Sequence, residues 1–156
     1  MELIIIKGAI NRGKTTTAAL VHNELTWYNH AKLIWLMLDN HCIPVESEDL
    51  VPNFRSAIVY KGKTICIVSH GDNLDCFEEY VNEVIPWYNP DILIVCSRTS
   101  GYVCDKIWER FGSIIKDENI FTLTPNHKSA DEKDKVTVKK DLVSEIMNRI
   151  NEICKK

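Results

Sequence analysis

Short apolar runs alternate along this chain with segments in which apolar residues recur every three or four positions. The apolar runs are typical of buried strands and lie at 3–6, 31–39, 64–69, 91–96 and 120–124. The periodic segments are typical of amphipathic helices and lie at 18–28, 74–85, 103–111 and 138–153. In the first segment Ala18, Val21, Leu25 and Tyr28 mark one face of the helix. This alternation predicts a three-layer α/β fold with a mainly parallel sheet of about five strands and helices on both faces.

One further strand is expected to join this sheet in an antiparallel hairpin. Ser56–Tyr60 and Thr64–Ser69 are both strand-like, and Gly62 between them suits a tight turn. The run at 31–39 predicts a buried second strand. Pro86 and the Asn89-Pro90 turn are expected to end the helix before the 91–96 strand.

Length, charge and the lack of long apolar segments limit the class of protein. The 156 residues suit a single domain over 1–156, and the net charge of −3 argues against a general nucleic-acid binder, which needs a basic face. The N-terminus has no signal-peptide pattern, and no apolar run approaches the roughly 18 residues of a membrane span. We therefore expect a soluble, cytoplasmic protein without a membrane partner.

Cysteines and tryptophans are both expected to be structural. The six cysteines include no Cys-x-x-Cys pair and no Cys/His cluster, which favours reduced and mostly buried thiols. Packing in the core or between helices is favoured over base stacking for the four tryptophans: Trp27, Trp35, Trp87 and Trp108.

A glycine-rich loop of the form G-x-x-x-x-G-K-[ST] begins at Gly8, directly after the first apolar run. Gly8 and Gly13 let the backbone approach a ligand closely, so that successive N–H groups can point at phosphate oxygens. Lys14 supplies a cation for the β- and γ-phosphates, the hydroxyl of Thr15 suits Mg²⁺, and Thr16 is expected on the α-phosphate side. The loop therefore predicts a nucleoside triphosphate with its magnesium ion.

Two residues inside the loop, Asn11 and Arg12, belong to the same predicted binding set. Arg12 either contacts phosphate or is simply solvated. The helix that follows adds the positive end of its dipole, so backbone, lysine and helix all favour an anion at this place.

Further candidates follow other strands, because ligands of such sheets bind at the carboxyl ends of the strands. Asp72, three residues after Ser69, either orients Mg²⁺ or substrate or caps the next helix. His70 is a general base, a substrate ligand or a hydrogen-bonded structural histidine. Asp39 either binds an acceptor substrate or begins a turn.

Arg98 follows the 91–96 run and is the fourth candidate. Its planar guanidinium suits a transferred or substrate phosphate, and the hydroxyl of Thr99 adds a donor beside it. The alternative is an arginine paired with a surface carboxylate.

The order of these elements resembles the P-loop NTPase superfamily, most closely its small kinases. The resemblance spans nearly the whole chain, although only residues 8–16 match a motif tightly. It implies binding of ATP with Mg²⁺ through the glycine loop, followed by phosphoryl transfer or hydrolysis. In that interpretation Lys14, Arg98 and Asp72 are catalytic, and Thr15 and Asp72 hold the metal.

The sequence departs from two branches of this superfamily, the nucleoside monophosphate kinases and the small GTPases. Only 112–119 separates a helix from the last strand, too few residues for the arginine-bearing lid of nucleoside monophosphate kinases. Residues 125–131 do not match the guanine-reading Asn-Lys-x-Asp of small GTPases, which favours ATP over GTP. Our first hypothesis is a small phosphotransferase acting on a small acceptor. The alternatives are an ATPase or GTPase switch that binds a protein partner, and a nucleotide-binding protein without turnover.

Overall fold

The computed structural model describes residues 1–8, 13–39, 53–71, 74–98, 101–112, 120–123 and 132–156. Strands and helices alternate through most of these ranges, as the apolar pattern predicts. In chain order the elements are β1 (Glu2–Lys7), α1 (Lys14–Asn23), a π-helical turn (Glu24–Tyr28), β2 (Lys32–Asp39), β3 (Asn53–Tyr60), β4 (Lys63–Val68), α2 (Leu74–Tyr88), β5 (Ile92–Ser97), α3 (Tyr102–Phe111), β6 (Ile120–Leu123) and α4 (Glu132–Ile153).

The six strands form one mixed sheet in the order β2-β3-β4-β5-β1-β6. β1 is parallel to β5 and β6, and β4 is parallel to β5, whereas β3 is antiparallel to both of its neighbours. The α/β class is therefore confirmed, but the expectation of a mainly parallel sheet is wrong. The reason is that β3 lies between β2 and β4 and runs opposite to both. Among the described strands, both pairings on this side of the sheet are therefore antiparallel.

The centre of the sheet is apolar on both faces. Ile4 and Ile6 of β1 pack with residues of α1 and α4, while Leu3 and Ile5 pack with residues of α2 and α3. Burying both faces explains why β1 is a continuous apolar run instead of an alternating one.

The described cysteines agree with the expectation of reduced thiols. Cys66 and Cys96 are free and buried, and Cys154 is free and partly buried. Burial raises the pKa of the Cys66 thiol to about 12, because the thiolate would lose its hydration in the core.

α4 closes one face of the sheet and is the longest described helix, with 22 residues. Ile146 and Ile150 are fully buried against the sheet, and Arg149 Nη2 donates to Glu2 Oε2 at 2.9 Å, which ties the helix to the start of β1. Among the described helices, none is long and apolar enough to cross a membrane.

The first helix continues into a π-helical turn that the three-and-four spacing does not predict. Val21 and Leu25 lie on the buried face as expected, but Tyr28 is 71% exposed. The N–H of Asn29 donates to the carbonyl of Glu24, five residues earlier, at 3.0 Å. This wider turn rotates the residues after Leu25 away from the core, so the predicted placement of Tyr28 is wrong.

Three of the four tryptophans are exposed, which departs from the predicted packing role. Trp27 and Trp87 are each 74% exposed, and Trp108 is 40% exposed. Trp35 does pack, with its ring stacked on Tyr88 at a centroid distance of 5.9 Å.

β2 is an exposed edge strand, which corrects the expectation of a buried one. Five of its apolar side chains are between 39% and 51% exposed: Leu33, Ile34, Leu36, Met37 and Leu38. In the described part of the structure β2 pairs with β3 and with no other strand. The apolar side chains of β2 therefore do not mean that the strand is central in the sheet.

Three element boundaries bear on the predictions. Lys61 and Gly62 have φ of 49° and 79°, the two positive values of a type I′ hairpin turn, so the predicted turn is confirmed. β3 begins at Asn53, three residues before its expected start. Pro86 lies inside α2, so its predicted role in ending the helix is wrong, whereas α2 does end at Tyr88, directly before the predicted Asn89-Pro90 turn.

Candidate nucleotide-binding site

The glycine loop begins at a point where two neighbouring parallel strands end. The N–H of Gly8 donates to the carbonyl of Ser97 at 3.0 Å, which continues the β1–β5 pairing by one residue. Arg98 follows Ser97 directly, and its own carbonyl accepts from Ser97 Oγ at 2.9 Å. The sheet order therefore brings two predicted site residues, Gly8 and Arg98, to one place.

The loop ends at a glycine that starts α1. Gly13 has φ of 76°, in the left-handed region that side chains disfavour, and its carbonyl accepts from the N–H of Thr17 at 2.8 Å. Thr17 Oγ1 donates to the same carbonyl at 2.9 Å. Gly13 has no side chain that could cap α1. The first N–H groups of a helix have no partner within the helix, and they favour an anion at this end.

Lys14 joins the two ends of the loop. Its side chain is only 5% exposed, and Nζ donates to the carbonyl of Gly8 at 3.1 Å. A buried ammonium requires oxygen partners, because desolvation without them is costly. The carbonyl of Gly8 supplies one such oxygen and holds the ammonium of Lys14 beside the start of the loop.

Thr15 is hydrogen-bonded to a residue that the sequence analysis did not select. Its Oγ1 donates to Asn53 Oδ1 at 3.1 Å. Asn53 is the first residue of β3 and lies opposite Asp39 of β2 in the strand register. The predicted candidates all follow strands, but an antiparallel strand presents its first residues at that edge of the sheet. The predicted antiparallel hairpin therefore implied that the start of β3 lies at the site.

The backbone next to Asn53 is fixed by the end of β4. The N–H of Phe54 donates to Ser69 Oγ at 2.7 Å, and the N–H of Ser69 donates to the carbonyl of Phe54 at 3.0 Å. Ser69 is 1% exposed, so this pair of bonds is shielded from water. The strand-end serine thus positions the hairpin side of the site.

α1 is also attached to β3 through a histidine. His22 Nδ1 lies 3.2 Å from Ser56 Oγ, and the ring packs edge-on against Phe54 with centroids 5.6 Å apart. Burial lowers the pKa of His22, because the imidazolium would lose its hydration there. The contact keeps α1, and with it Thr15, in position over the start of β3.

His70 packs against α2. Its ring is 2% exposed and makes an edge-on contact with Tyr80 at a centroid distance of 4.3 Å. The guanidinium of Arg55 lies 3.7 Å from the centroid of the Tyr80 ring, and Arg55 Nε is 2.7 Å from Glu83 Oε2. Of the three roles open from the sequence, these contacts favour the structural one.

Thr16 lies in the first turn of α1 and is partly buried. Four other predicted site residues lie outside the described part. They are Asn11, Arg12, Asp72 and Thr99. Asp39 is described by its backbone alone, at the end of β2. Their assigned roles stay predictions. Among the described residues, no group of three or more His, Cys, Asp or Glu side chains could hold a metal ion.

Comparisons with known proteins give no match: no family model, no curated protein and no solved structure corresponds to this chain. The residues of the site are therefore the basis for proposing a function.

Proposed function

We propose that this chain binds ATP with Mg²⁺ in the loop between β1 and α1 and transfers the γ-phosphoryl group to a small acceptor. One observation carries the proposal: the buried ammonium of Lys14 bridges back to Gly8 at 3.1 Å, in a loop whose helix begins at a left-handed glycine. Backbone N–H groups at a helix start, a held cation and a hydroxyl at the next residue form a set suited to a polyphosphate.

Each residue has a task in this proposal. The ammonium of Lys14 exchanges the carbonyl of Gly8 for oxygens of the β- and γ-phosphates. Arg98, which follows Ser97 beside Gly8, would supply a guanidinium to stabilise charge that develops on the transferred group. Thr15 would hold the metal ion, which would supply positive charge to neutralise the phosphates.

Calorimetric titration with ATP in the presence of Mg²⁺ tests the binding step. Replacing Lys14 with alanine should weaken ATP binding at least about tenfold, because the phosphates lose a charged hydrogen-bond partner. Lys140→Ala is the matched control, since Lys140 is an exposed lysine on α4. The binding proposal fails if the wild-type protein gives no heat with ATP, or if both variants bind as the wild type does.

A screen of acceptors tests the transfer step. Nucleosides, nucleotides, sugars and small acids are incubated with ATP and the wild-type protein, and phosphorylated products are sought by mass spectrometry. We expect one acceptor class to give a product that Lys14→Ala does not give. If ATP binds and no acceptor is phosphorylated, the kinase assignment should be abandoned in favour of an ATPase or a nucleotide-binding protein without turnover.

The second candidate function is a nucleotide-dependent switch that binds a protein partner. The exposed aromatic residues Trp27 and Tyr28 favour it, since they line a cavity of about 620 Å³ between α1 and α4, with Leu20 and Met147. Exposed aromatic side chains grouped in this way are enriched at protein interfaces.

Hydrogen exchange in the ATP-bound and ADP-bound states separates the two candidates. A switch requires that the two nucleotides bias the binding surface differently, because a ligand shifts an equilibrium only through differential binding. Exchange rates around the π-helical turn should then differ between the states. Equal rates would remove the support for a switch.

A further inference from the structure

We infer that Asn53, at the start of β3, is a protein ligand of the magnesium ion that accompanies the nucleotide, beside Thr15. This inference rests on the proposed ATP site. Asn53 Oδ1 lies 3.1 Å from Thr15 Oγ1, the oxygen already expected to bind the metal.

The separation of the two oxygens fits one octahedral ion. Mg²⁺ binds oxygen at 2.0–2.1 Å with nearly ideal octahedral angles, which places adjacent ligands about 2.9 Å apart. The distance of 3.1 Å between the hydroxyl and the amide oxygen is within a few tenths of an ångström of that value. If the hydroxyl proton of Thr15 turned away and the two oxygens came together by about 0.2 Å, both could bind one cation.

The amide of Asn53 is held by structure on two sides. Its backbone pairs with Asp39 across the β2–β3 ladder, and the next residue, Phe54, exchanges two hydrogen bonds with Ser69. α1 carries Thr15 to the same point through the contact between His22 and β3. Two rigid elements therefore bring the oxygens together, which is the preorganisation that a tight magnesium site needs.

The charge of the two oxygens indicates when the ion binds. A threonine hydroxyl and an asparagine amide are neutral, and the described residues include no cluster of three or more carboxylate, imidazole or thiol ligands. Mg²⁺ commonly keeps few protein ligands and takes its charge partners from substrate phosphates. The ion should thus bind together with ATP and only weakly to the protein alone.

ATP affinity measured by calorimetry with Mg²⁺ and with EDTA tests the assignment. The ratio of the two affinities is the magnesium dependence of binding. Asn53→Ala should lower this ratio at least about tenfold, a loss typical when a metal site is disrupted, while changing the affinity in EDTA less than about twofold. Asn53→Asp should raise the ratio, because a carboxylate is a better ligand.

Two further measurements separate ligation from a structural role. Asn151→Ala is the matched control, because Asn151 is an asparagine that accepts hydrogen bonds from Tyr60 and Lys61 at the hairpin end of the sheet. It should leave the ratio unchanged. With Mn²⁺ as the probe, water-proton relaxation of the Mn²⁺·ATP complex should report one more bound water on Asn53→Ala than on the wild type.

The outcomes distinguish this inference from the proposed function. If the wild type binds no ATP in either buffer, both are overturned. If it binds ATP with a magnesium dependence that Asn53→Ala and Asn53→Asp both preserve, the Asn53 assignment alone is wrong. Equal losses with Mg²⁺ and with EDTA would show that Asn53 only supports the loop, which also overturns the assignment. If Asn53→Ala does not fold, an unchanged ratio in Asn53→Asp decides against it.

Discussion

Gly71 is the position where adding one methyl group should do the most damage relative to its size. Gly71 follows β4 and passes against the end of β5. A Cβ at Gly71 would lie 2.5 Å from both the carbonyl carbon and the carbonyl oxygen of Cys96, and 2.8 Å from the backbone nitrogen of Ser97. Ordinary contact begins at 3.4 Å, so the backbone of β5 or the chain at Gly71 must move by as much as 0.9 Å in Gly71→Ala.

The size of the effect follows from what must move. All three contacted atoms belong to the backbone of β5, which is buried and paired on both sides, so a rotamer change cannot relieve the overlap. Forcing an extra methyl group into a well-packed interior costs about 1–3 kcal/mol, and we expect the upper part of this range for Gly71→Ala. A loss of about 3 kcal/mol corresponds to a fall in Tm of about 6–12 °C for a chain of this length.

Urea unfolding followed by circular dichroism measures this loss, with calorimetry supplying Tm. Gly62→Asn is the matched control, since Gly62 has nothing within 4 Å of its Cβ position and asparagine tolerates its positive φ of 79°. The control should change the free energy of unfolding by less than about 0.5 kcal/mol.

A small effect would refute the reasoning. If Gly71→Ala loses less than about 0.5 kcal/mol with an unchanged m-value, Gly71 does not lie so close to the backbone of β5. If it is destabilising, its effect should extend to the site, because Ser97 also accepts the hydrogen bond from Gly8 at 3.0 Å.

Two other predictions concern α1 and the sheet edge. Burial lowers the pKa of His22 below the unfolded value of 6.5, so its neutral form stabilises the fold above pH 6.5 and this contribution is lost as pH falls. The stability difference between wild type and His22→Gln, measured by urea unfolding, should therefore shrink from pH 7.5 to pH 5, and a constant difference would contradict the shift. At the sheet edge, Leu38 is 51% exposed whereas Ile94 is fully buried. Leu38→Thr should cost less than about 1 kcal/mol and Ile94→Thr about 2–4 kcal/mol; similar losses would mean that β2 is covered.

The elements of the fold are largely readable from the chain because their signals are local. Apolar runs and three-and-four spacing gave the strands and helices, and the glycine spacing from Gly8 to Lys14 marked a strand, a loop and a helix start in the described positions. Gly62 gave the hairpin turn for the same reason: a tight turn depends on the conformations of its own residues.

The errors have a common cause. The apolar run of β2 was interpreted as buried, yet hydrophobicity does not record whether a second strand lies beside it, and the sheet order leaves β2 at the edge. Tyr28 continued the helical spacing, but one π-helical hydrogen bond, from Asn29 to Glu24, rotated it into solvent. Both outcomes depend on contacts that no periodicity encodes.

The sequence by itself determined the glycine loop, its lysine and its hydroxyl residues, because these occupy consecutive positions in one short segment. Only the tertiary structure decided which other groups meet them. Asn53 is 38 residues away from Thr15 in the chain and reaches it because β3 runs antiparallel and so begins at the edge where β1 and β5 end. His70, two residues before the predicted metal residue Asp72 in sequence, packs against Tyr80 of α2. Strand direction and order, which arise from pairing between distant segments, set these distances.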